Sequence, residues 1–151
     1  MGSVSLAAIC DAIAATLGTA TGVTRTQSYS ALQDDYNDLP LLRVYPQSGE
    51  TDAWSDSDRS TFRGRVRVTE YLIHADVICR QRAHLDEDMK KAVEMQAAVE
   101  TVLDAQQTKP YLGDENIKAF RWRWELMDFA LGGESPLHYL GVRFYIYVRI
   151  F

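Results

Sequence analysis

The chain has 151 residues, a formal net charge of −5 and two cysteines. This length is typical of one domain with a single core, and the acidic balance disfavours a protein that binds nucleic acid through bulk positive charge. Cys10 and Cys79 are far apart and form no C-x-x-C motif, and no apolar run approaches the roughly 18 residues of a membrane span, so we expect a soluble protein of a reducing compartment.

The first element predicted along the chain is an amphipathic helix near the N-terminus. Its apolar residues recur at helical spacing: Leu6, Ile9, Cys10, Ile13 and Leu17. Ser3 or Ser5 is placed to cap its start, and Gly18 is placed to end it.

Short elements follow the first helix. "VTRTQSY" predicts a short strand, and "SALQDDYNDLP" places Ser30 and Gln33 at capping-box spacing before a break at Pro40. We expect one or two helical turns there, with three residues directed inward: Leu32, Tyr36 and Leu39. "PLLRVYP" is apolar on both faces, which is typical of a central strand, and we expect this strand to stop at Pro46.

Residues 47–61 are rich in Gly, Ser, Asp and Thr, which predicts the longest loop of the chain. We expect this loop to be mobile in the free protein and to become ordered against a neighbour, with Trp54 as its anchor. The next segment, "TFRGRVRVTEYLIHADVICRQ", predicts a long strand. Its apolar residues change from one alternation phase to the other, so we expect a bulge or bend near Thr69.

The last third of the chain predicts a long helix and a hairpin of two strands. The helix lies in "HLDEDMKKAVEMQAAVETVLDAQQ", and the strands lie in "IKAFRWRWELMDF" and "YLGVRFYIYVRIF". One face of these strands is apolar: Phe120, Trp122, Trp124 and Leu126 on the first, and Leu140, Val142, Phe144, Ile146, Val148 and Ile150 on the second. The reverse face carries mostly Tyr and Arg.

Together these elements predict an α/β (α+β) two-layer sandwich, with a mixed, mostly antiparallel sheet of four to five strands and two main helices on one face. If the apolar parities face the helices, a group of Tyr and Arg side chains is left on the uncovered face of the sheet. We call this the Tyr/Arg face, and its defining residues are Arg121, Arg123, Tyr145, Tyr147 and Arg149.

Two possible metal sites fail on geometry or ligand type. His74 and Asp76 share a strand face whereas Cys79 lies on the other, so these residues and His84 cannot converge on one ion. "DSDRSTFRGRVR" begins like an EF-hand loop, but Thr61 and Arg67 replace the required Gly and Glu. We expect no metal and no cofactor.

No catalytic motif is present, so we expect a protein that is not an enzyme. The alternative from another class is a small α/β hydrolase or nuclease, whose candidate residues would be Asp34, Asp35, Asp38 and His74. The acidic groups "DDYND" and "DAWSDSD" have no companion motif and are typical of solvated loops. A third alternative is a monomeric ligand-binding domain that uses the Tyr/Arg face.

Tyr and Arg are enriched in protein interfaces, and two adjacent strands that carry both form a patch. The opposing interpretation is a solvated face, because strand propensity alone favours Tyr, Thr and Arg. The interface candidates are Trp54, Arg121, Arg123, Arg143, Tyr145, Tyr147, Arg149 and Phe151. Their expected acidic partners, on the loop of a neighbouring subunit, are Glu50, Asp52, Asp56 and Asp58.

The order of elements, with "DLPLLRVYP" before a long polar loop and "LDEDMKKAVEMQAAVETVL" before a closing hairpin, resembles the tail-terminator (tail-completion) proteins of long-tailed bacteriophages. The resemblance spans nearly the whole chain and rests on element order more than on motifs. It implies a virion protein, made in the host cytoplasm, that forms a hexameric ring on the tail tube and meets the head–tail connector or stopper, with DNA only as passing cargo. A head–tail stopper or joining component is the closest alternative.

Overall fold

The computed structural model describes residues 5–33, 36–51, 68–131 and 137–150. In chain order its elements are α1 (Leu6–Leu17), β1 (Arg25–Gln27), a 3-10 turn (Tyr29–Ala31), β2 (Leu41–Thr51), β3 (Thr69–Gln81), α2 (Leu85–Ala105), a second 3-10 turn (Tyr111–Gly113), β4 (Ala119–Leu131) and β5 (Leu137–Ile150). The strands form one sheet in the order β1-β2-β3-β5-β4, antiparallel except for the parallel pair of β1 and β2. The predicted α+β fold is therefore confirmed.

Helix α1 forms as its sequence predicts. The Ser5 hydroxyl accepts a hydrogen bond from the Ala8 amide at 3.1 Å, which satisfies one of the free N–H groups of the first turn. Gly18 follows the last residue and donates its amide to the carbonyl of Ala14. The buried side of the helix carries Ile9, Cys10, Ile13, Ala14 and Leu17.

The main core lies between the two helices and one face of the sheet. Residues that face each other across antiparallel strands share a side of the sheet, and Ile73 faces Ile146 while Ala75 faces Phe144. All four are fully buried beneath α1 and α2. Both helices contribute to this one cluster, so they cover the same face of the sheet.

A smaller apolar cluster lies on the opposite face, at one end of the sheet. It contains Leu41, Ile78, Phe129 and Tyr139, and Tyr36 and Leu39 pack against it. Leu42 and Val44 belong to the main core instead. Strand β2 is therefore apolar on both faces because each face meets a different cluster, which agrees with its predicted place inside the sheet.

The predicted end of β2 at Pro46 is wrong, and so is the start of the predicted loop 47–61. Strand β2 continues to Thr51, where Glu50 faces Glu70 and Thr51 faces Thr69 on β3. The pairing is irregular between Pro46 and Ser48, since proline has no N–H to donate. Polar residues persist in this strand because its outer end is exposed, and residues 52–61 lie outside the described part of the chain.

Two further local predictions are corrected. Thr69 pairs regularly with Thr51 and Ile150, and the register of β3 is irregular at Ile78 to Arg80 instead of near Thr69. The segment after β1 forms a single 3-10 turn that begins after Ser28, so Ser30 is not its N-cap.

The apolar row of β4 is on the helix side, as predicted, but only part of it is covered. Helix α2 packs on β3 and β5, and β4 lies beyond them at the edge of the sheet. Phe120 and Trp122 pack against the main core, whereas Trp124 is 42% exposed and Leu126 is 37% exposed. The alternation of apolar residues predicted correctly which face of β4 is apolar, but it did not predict how much of that face is buried.

Candidate protein-interaction face

The Tyr/Arg face is the side of the sheet opposite the helices, and its side chains form rows that cross four strands. One row runs Arg43, Asp76, Arg143 and Glu125, and the next runs Tyr45, His74, Tyr145 and Arg123. A third contains Leu72, Tyr147 and Arg121, and a fourth contains Glu50, Glu70 and Arg149. The register therefore brings the predicted Tyr and Arg residues together with Asp76, Glu70 and Glu125, which the sequence did not identify as their acidic partners.

Asp76 organises the middle of the face. The Arg143 guanidinium donates to both of its carboxylate oxygens, from Nε at 2.7 Å and from Nη2 at 3.1 Å, and the Tyr45 hydroxyl donates to Oδ2 at 2.5 Å. The hydrogen bond with Asp76 raises the pKa of Arg143, and burial beside Asp76 raises the pKa of Tyr45. Arg143 was predicted as an interface residue, but its charge is already neutralised by a bidentate partner within the chain.

Tyr145 is held from two sides. Its hydroxyl donates to the carboxylate of Glu125, and the Arg123 guanidinium lies over its ring at 3.7 Å from the centroid. Burial and the bond to Glu125 together raise the pKa of Tyr145. The ring, the cation and the carboxylate are thus fixed relative to one another on β4 and β5.

Two exposed cations of the face, Arg121 and Arg149, share one carboxylate. Glu70 accepts from Arg149 at 3.2 Å and lies 3.9 Å from Arg121, and the Arg121 guanidinium stacks over Tyr147 at 3.9 Å from the ring centroid. The side chains of Arg121 and Arg149 are 65% and 51% exposed. Both therefore keep donors available for a carboxylate on another molecule.

Glu50 lies on the same face, although we expected it on a loop that reaches a neighbouring subunit. It faces Glu70 across β2 and β3, and both line a shallow depression of about 150 Å³ with Ser48, Leu72 and Tyr147. Two carboxylates directly opposite each other are unfavourable unless cations lie nearby. Arg149 and Arg121 supply those cations on the side of Glu70.

His74 is the one buried ring at the centre of the face. It is only 5% exposed, and the rings of Tyr45 and Tyr145 contact it edge-on at centroid distances of 5.5 and 4.9 Å. Its Nδ1 is buried without a hydrogen-bond partner. Burial and the positive charge of Arg143 lower the pKa of His74, which favours the neutral imidazole in the folded chain.

This burial predicts a pH-dependent loss of stability. The unfolded chain binds a proton at His74 near the ordinary pKa of about 6.5, whereas the folded chain binds it only at lower pH. Stability should therefore be complete above that value and should fall as the pH drops below it, by at most about 1.4 kcal/mol per pH unit for one proton. Denaturant titrations at a series of pH values should show this slope reduced in His74→Phe, which keeps an aromatic ring between the tyrosines.

His84→Gln is the matched control, because His84 is exposed and its side chain makes no cap hydrogen bond to α2. This variant should keep the wild-type slope. An unchanged slope in His74→Phe would contradict the assignment of the titration to the buried ring.

Several predicted interface residues belong to other parts of the chain than those described. Trp54, Asp52, Asp56, Asp58 and Phe151 lie outside the described residues. Asp34 and Asp35, two acidic residues of the alternative hydrolase, also lie outside the described residues. The third, Asp38, has an exposed carboxylate that lies 3.9 Å from Arg25.

The residues of the rejected metal set are separated as expected. Cys79 is buried in the main core, where burial raises its pKa to about 12, whereas His74 and Asp76 lie on the opposite face. His84 is at the start of α2. Among the described residues no group of three or more His, Cys, Asp or Glu side chains could hold a metal ion.

Comparisons with known proteins do not assign the chain to a family: no family model matches it, and no curated protein is significantly similar in sequence. In the described ranges, neither helix is both long enough and apolar enough to span a membrane.

Proposed function

We propose that the protein is a structural virion component that forms a hexameric ring, caps the tail tube of a long-tailed bacteriophage and joins it to the head–tail connector. The observation that carries this proposal is the Tyr/Arg face, a side of the sheet that presents fixed tyrosine rings and exposed arginines. The element order that resembles tail-terminator proteins supplies the particular assembly.

The chemistry of the face favours a protein partner. Arg121 and Arg149 are exposed, and each is already oriented by Glu70, with Tyr147 stacked beneath Arg121. Side chains that are ordered before binding lose less conformational entropy when a partner arrives. Tyrosine supplies contact area and arginine supplies directional hydrogen bonds to carboxylates, so the face fits an acidic surface on an adjacent subunit or on the tube.

The scarcity of exposed aliphatic side chains on this face favours an interface that forms conditionally. Permanent interfaces resemble a divided hydrophobic core, whereas this one is charged and aromatic. The net charge of −5 also suits a ring around passing DNA, because acidic walls do not release counterions from the phosphate backbone as basic walls do.

The hydrolase alternative finds little support in the described residues. His74 is enclosed by two tyrosine rings, and Asp76 is occupied by Arg143 and Tyr45. A general base needs a lone pair within hydrogen-bond reach of a substrate proton. A stopper or joining protein, in contrast, also needs a face that binds other proteins, and the two functions differ in the structure that the ring binds.

We expect the isolated protein to be monomeric or weakly associated at low concentration and to form closed rings on contact with tail tubes. The physical reason is that a charged interface between two copies is weak by itself. A stable ring forms when the tube holds several subunits side by side. Negative-stain electron microscopy of the protein mixed with tail tubes should show a ring at one tube end.

Purified connectors provide the comparison that separates the two functions. Rings on tube ends and none on isolated connectors fit a terminator, whereas rings on connectors alone indicate a stopper. Bare tube ends at a saturating protein concentration would contradict the tail-terminator proposal.

A further inference from the structure

Strand β4 is the last strand of the described sheet and forms one of its long edges. It pairs with β5 over its whole length, from Ala119 to Leu131, without a register irregularity, and no other described strand pairs with its outer side. It also contains no proline. An edge of this kind presents a row of unpaired N–H and C=O groups that can template another strand.

The same edge carries exposed apolar side chains. Trp124 and Leu126 follow Trp122 on the helix side of β4, beyond the cover of α2, and the first two are 42% and 37% exposed. A free edge with an adjacent uncovered Trp/Leu row is the sheet arrangement most prone to pairing with another chain.

We propose that β4 pairs antiparallel with β4 of a second copy of this chain, about a two-fold axis at Trp124. Two identical strands that join edge to edge in this way are related by an axis perpendicular to the sheet, so both copies keep their helices on the same side. The residue at the axis faces its own counterpart, and a residue any number of positions before it faces the residue the same number of positions after it in the second copy. The register is therefore defined once the residue at the axis is known.

The charges of β4 select Trp124 as the central residue. In this register Arg123 faces Glu125 of the second copy, and Glu125 faces the second copy's Arg123. Both side chains lie on the Tyr/Arg face near Tyr145, which holds them at the edge. Opposite charges directly across two strands stabilise the pair.

The neighbouring registers are disfavoured. An axis at Arg123 places two arginines opposite each other, although Arg121 then faces Glu125 of the second copy. An axis at Glu125 places two glutamates opposite each other, and an axis at Trp122 sets Arg121 against Arg123. Like charges directly opposite are destabilising. Of these four registers, the axis at Trp124 is the one that pairs opposite charges without placing like charges opposite each other.

The apolar side of the strand agrees with this choice. Trp122 faces Leu126 of the second copy, and Trp124 faces its own counterpart at the axis. The exposed part of the Trp/Leu row is then covered in both copies. One strand edge is a small interface, so we expect weak dimers at micromolar concentration, in keeping with a protein that associates weakly before it meets a tube.

This dimer goes beyond the ring and does not depend on it. Two copies close a two-fold contact, whereas a ring needs a head-to-tail contact between different surfaces. The dimer can thus be tested without tail tubes, and either proposal can fail while the other holds.

Sedimentation equilibrium of charge-reversed variants tests the register. Arg123→Glu and Glu125→Arg each replace both attractive pairs with repulsive ones, so each should raise the dimer dissociation constant about tenfold or more. An equimolar mixture of the two variants should recover association, because glutamates of one then face arginines of the other. The double variant Arg123→Glu/Glu125→Arg should dimerise like the wild type.

Lys118→Glu is the matched control, with the same change of charge just before β4, and it should dimerise normally. Trp124→Lys places two cations at the axis and should abolish the dimer without unfolding the chain, which thermal unfolding monitored by circular dichroism will verify. A wild-type protein that stays monomeric at high micromolar concentration, or single reversals that associate as tightly as the wild type, would overturn the proposal. Failure of the mixture to associate would equally refute the register.

Discussion

Ile146→Ala should destabilise the free protein by about 2 to 5 kcal/mol. Ile146 is fully buried between Ile73 on β3 and Trp122 on β4, beneath the helices, so truncation removes packed methylene groups and leaves a cavity. Since small domains have only about 5 to 15 kcal/mol of total stability, this one change removes a large fraction of it. Guanidinium unfolding monitored by circular dichroism measures the effect as a shift of the midpoint at constant slope.

Two control variants on β5 test whether the loss of stability comes from the burial of the side chain or from any substitution in this strand. Ile146→Val deletes one methylene and should cost about 0.5 to 1.5 kcal/mol. Tyr147→Phe changes the next residue, on the Tyr/Arg face, and should stay within about 0.5 kcal/mol of the wild type. A loss below about 1 kcal/mol for Ile146→Ala would show that the packing between helices and sheet is loose at this position.

The double variant Tyr147→Ala/Arg149→Ala should fold and fail to assemble on tail tubes. Tyr147 is partly exposed beneath Arg121, and Arg149 reaches Glu70 at the surface, so the loss of both should cost the free protein no more than about 1 to 2 kcal/mol. The interface, in contrast, loses one tyrosine ring and one of its exposed cations. Electron microscopy should show bare tube ends at concentrations where the wild type forms rings.

Tyr29→Ala/Arg82→Ala is the corresponding control, with the same residue types exposed away from the Tyr/Arg face. It should cap tubes normally. If Tyr147→Ala/Arg149→Ala caps tubes as the wild type does, the face is a solvated sheet surface, and its Tyr and Arg reflect strand propensity. If this variant unfolds, Tyr147 and Arg149 contribute to the stability of the free chain more than their exposure indicates.

The elements with strong periodicity could be predicted from the sequence. The spacing of Ile9, Ile13 and Leu17, with Ser5 before them and Gly18 after, determines α1 by local chemistry alone. Alternation along "YLGVRFYIYVRIF" separated Ile146 and Val148, which are buried, from Tyr147 and Arg149, which are not. Side-chain direction in a strand depends only on the parity of the residue number, so no tertiary information was needed.

Composition predicted secondary structure and burial less well for segments whose conformation depends on neighbouring elements of the tertiary structure. The polar residues after Pro46 form strand because β3 pairs with them, and Leu126 stays exposed because α2 does not reach the edge of the sheet. Gly141 shows the same dependence, since a Cβ atom there would lie 2.1 Å from the carbonyl oxygen of Val77. The sequence contains no sign of that approach between strands, because the two residues are distant in the chain.

The partners of the Tyr/Arg face were also decided only by the tertiary structure. The sequence by itself determined that Tyr147, Arg149 and Arg121 share a face, but the strand order β2-β3-β5-β4 and its register brought Asp76 to Arg143 and Glu70 to Arg149. A strand's alternation specifies which way each side chain points, whereas the identity of its neighbour depends on which strand lies beside it and in what register. Those two choices are settled by the burial of the whole core, to which every element contributes at once.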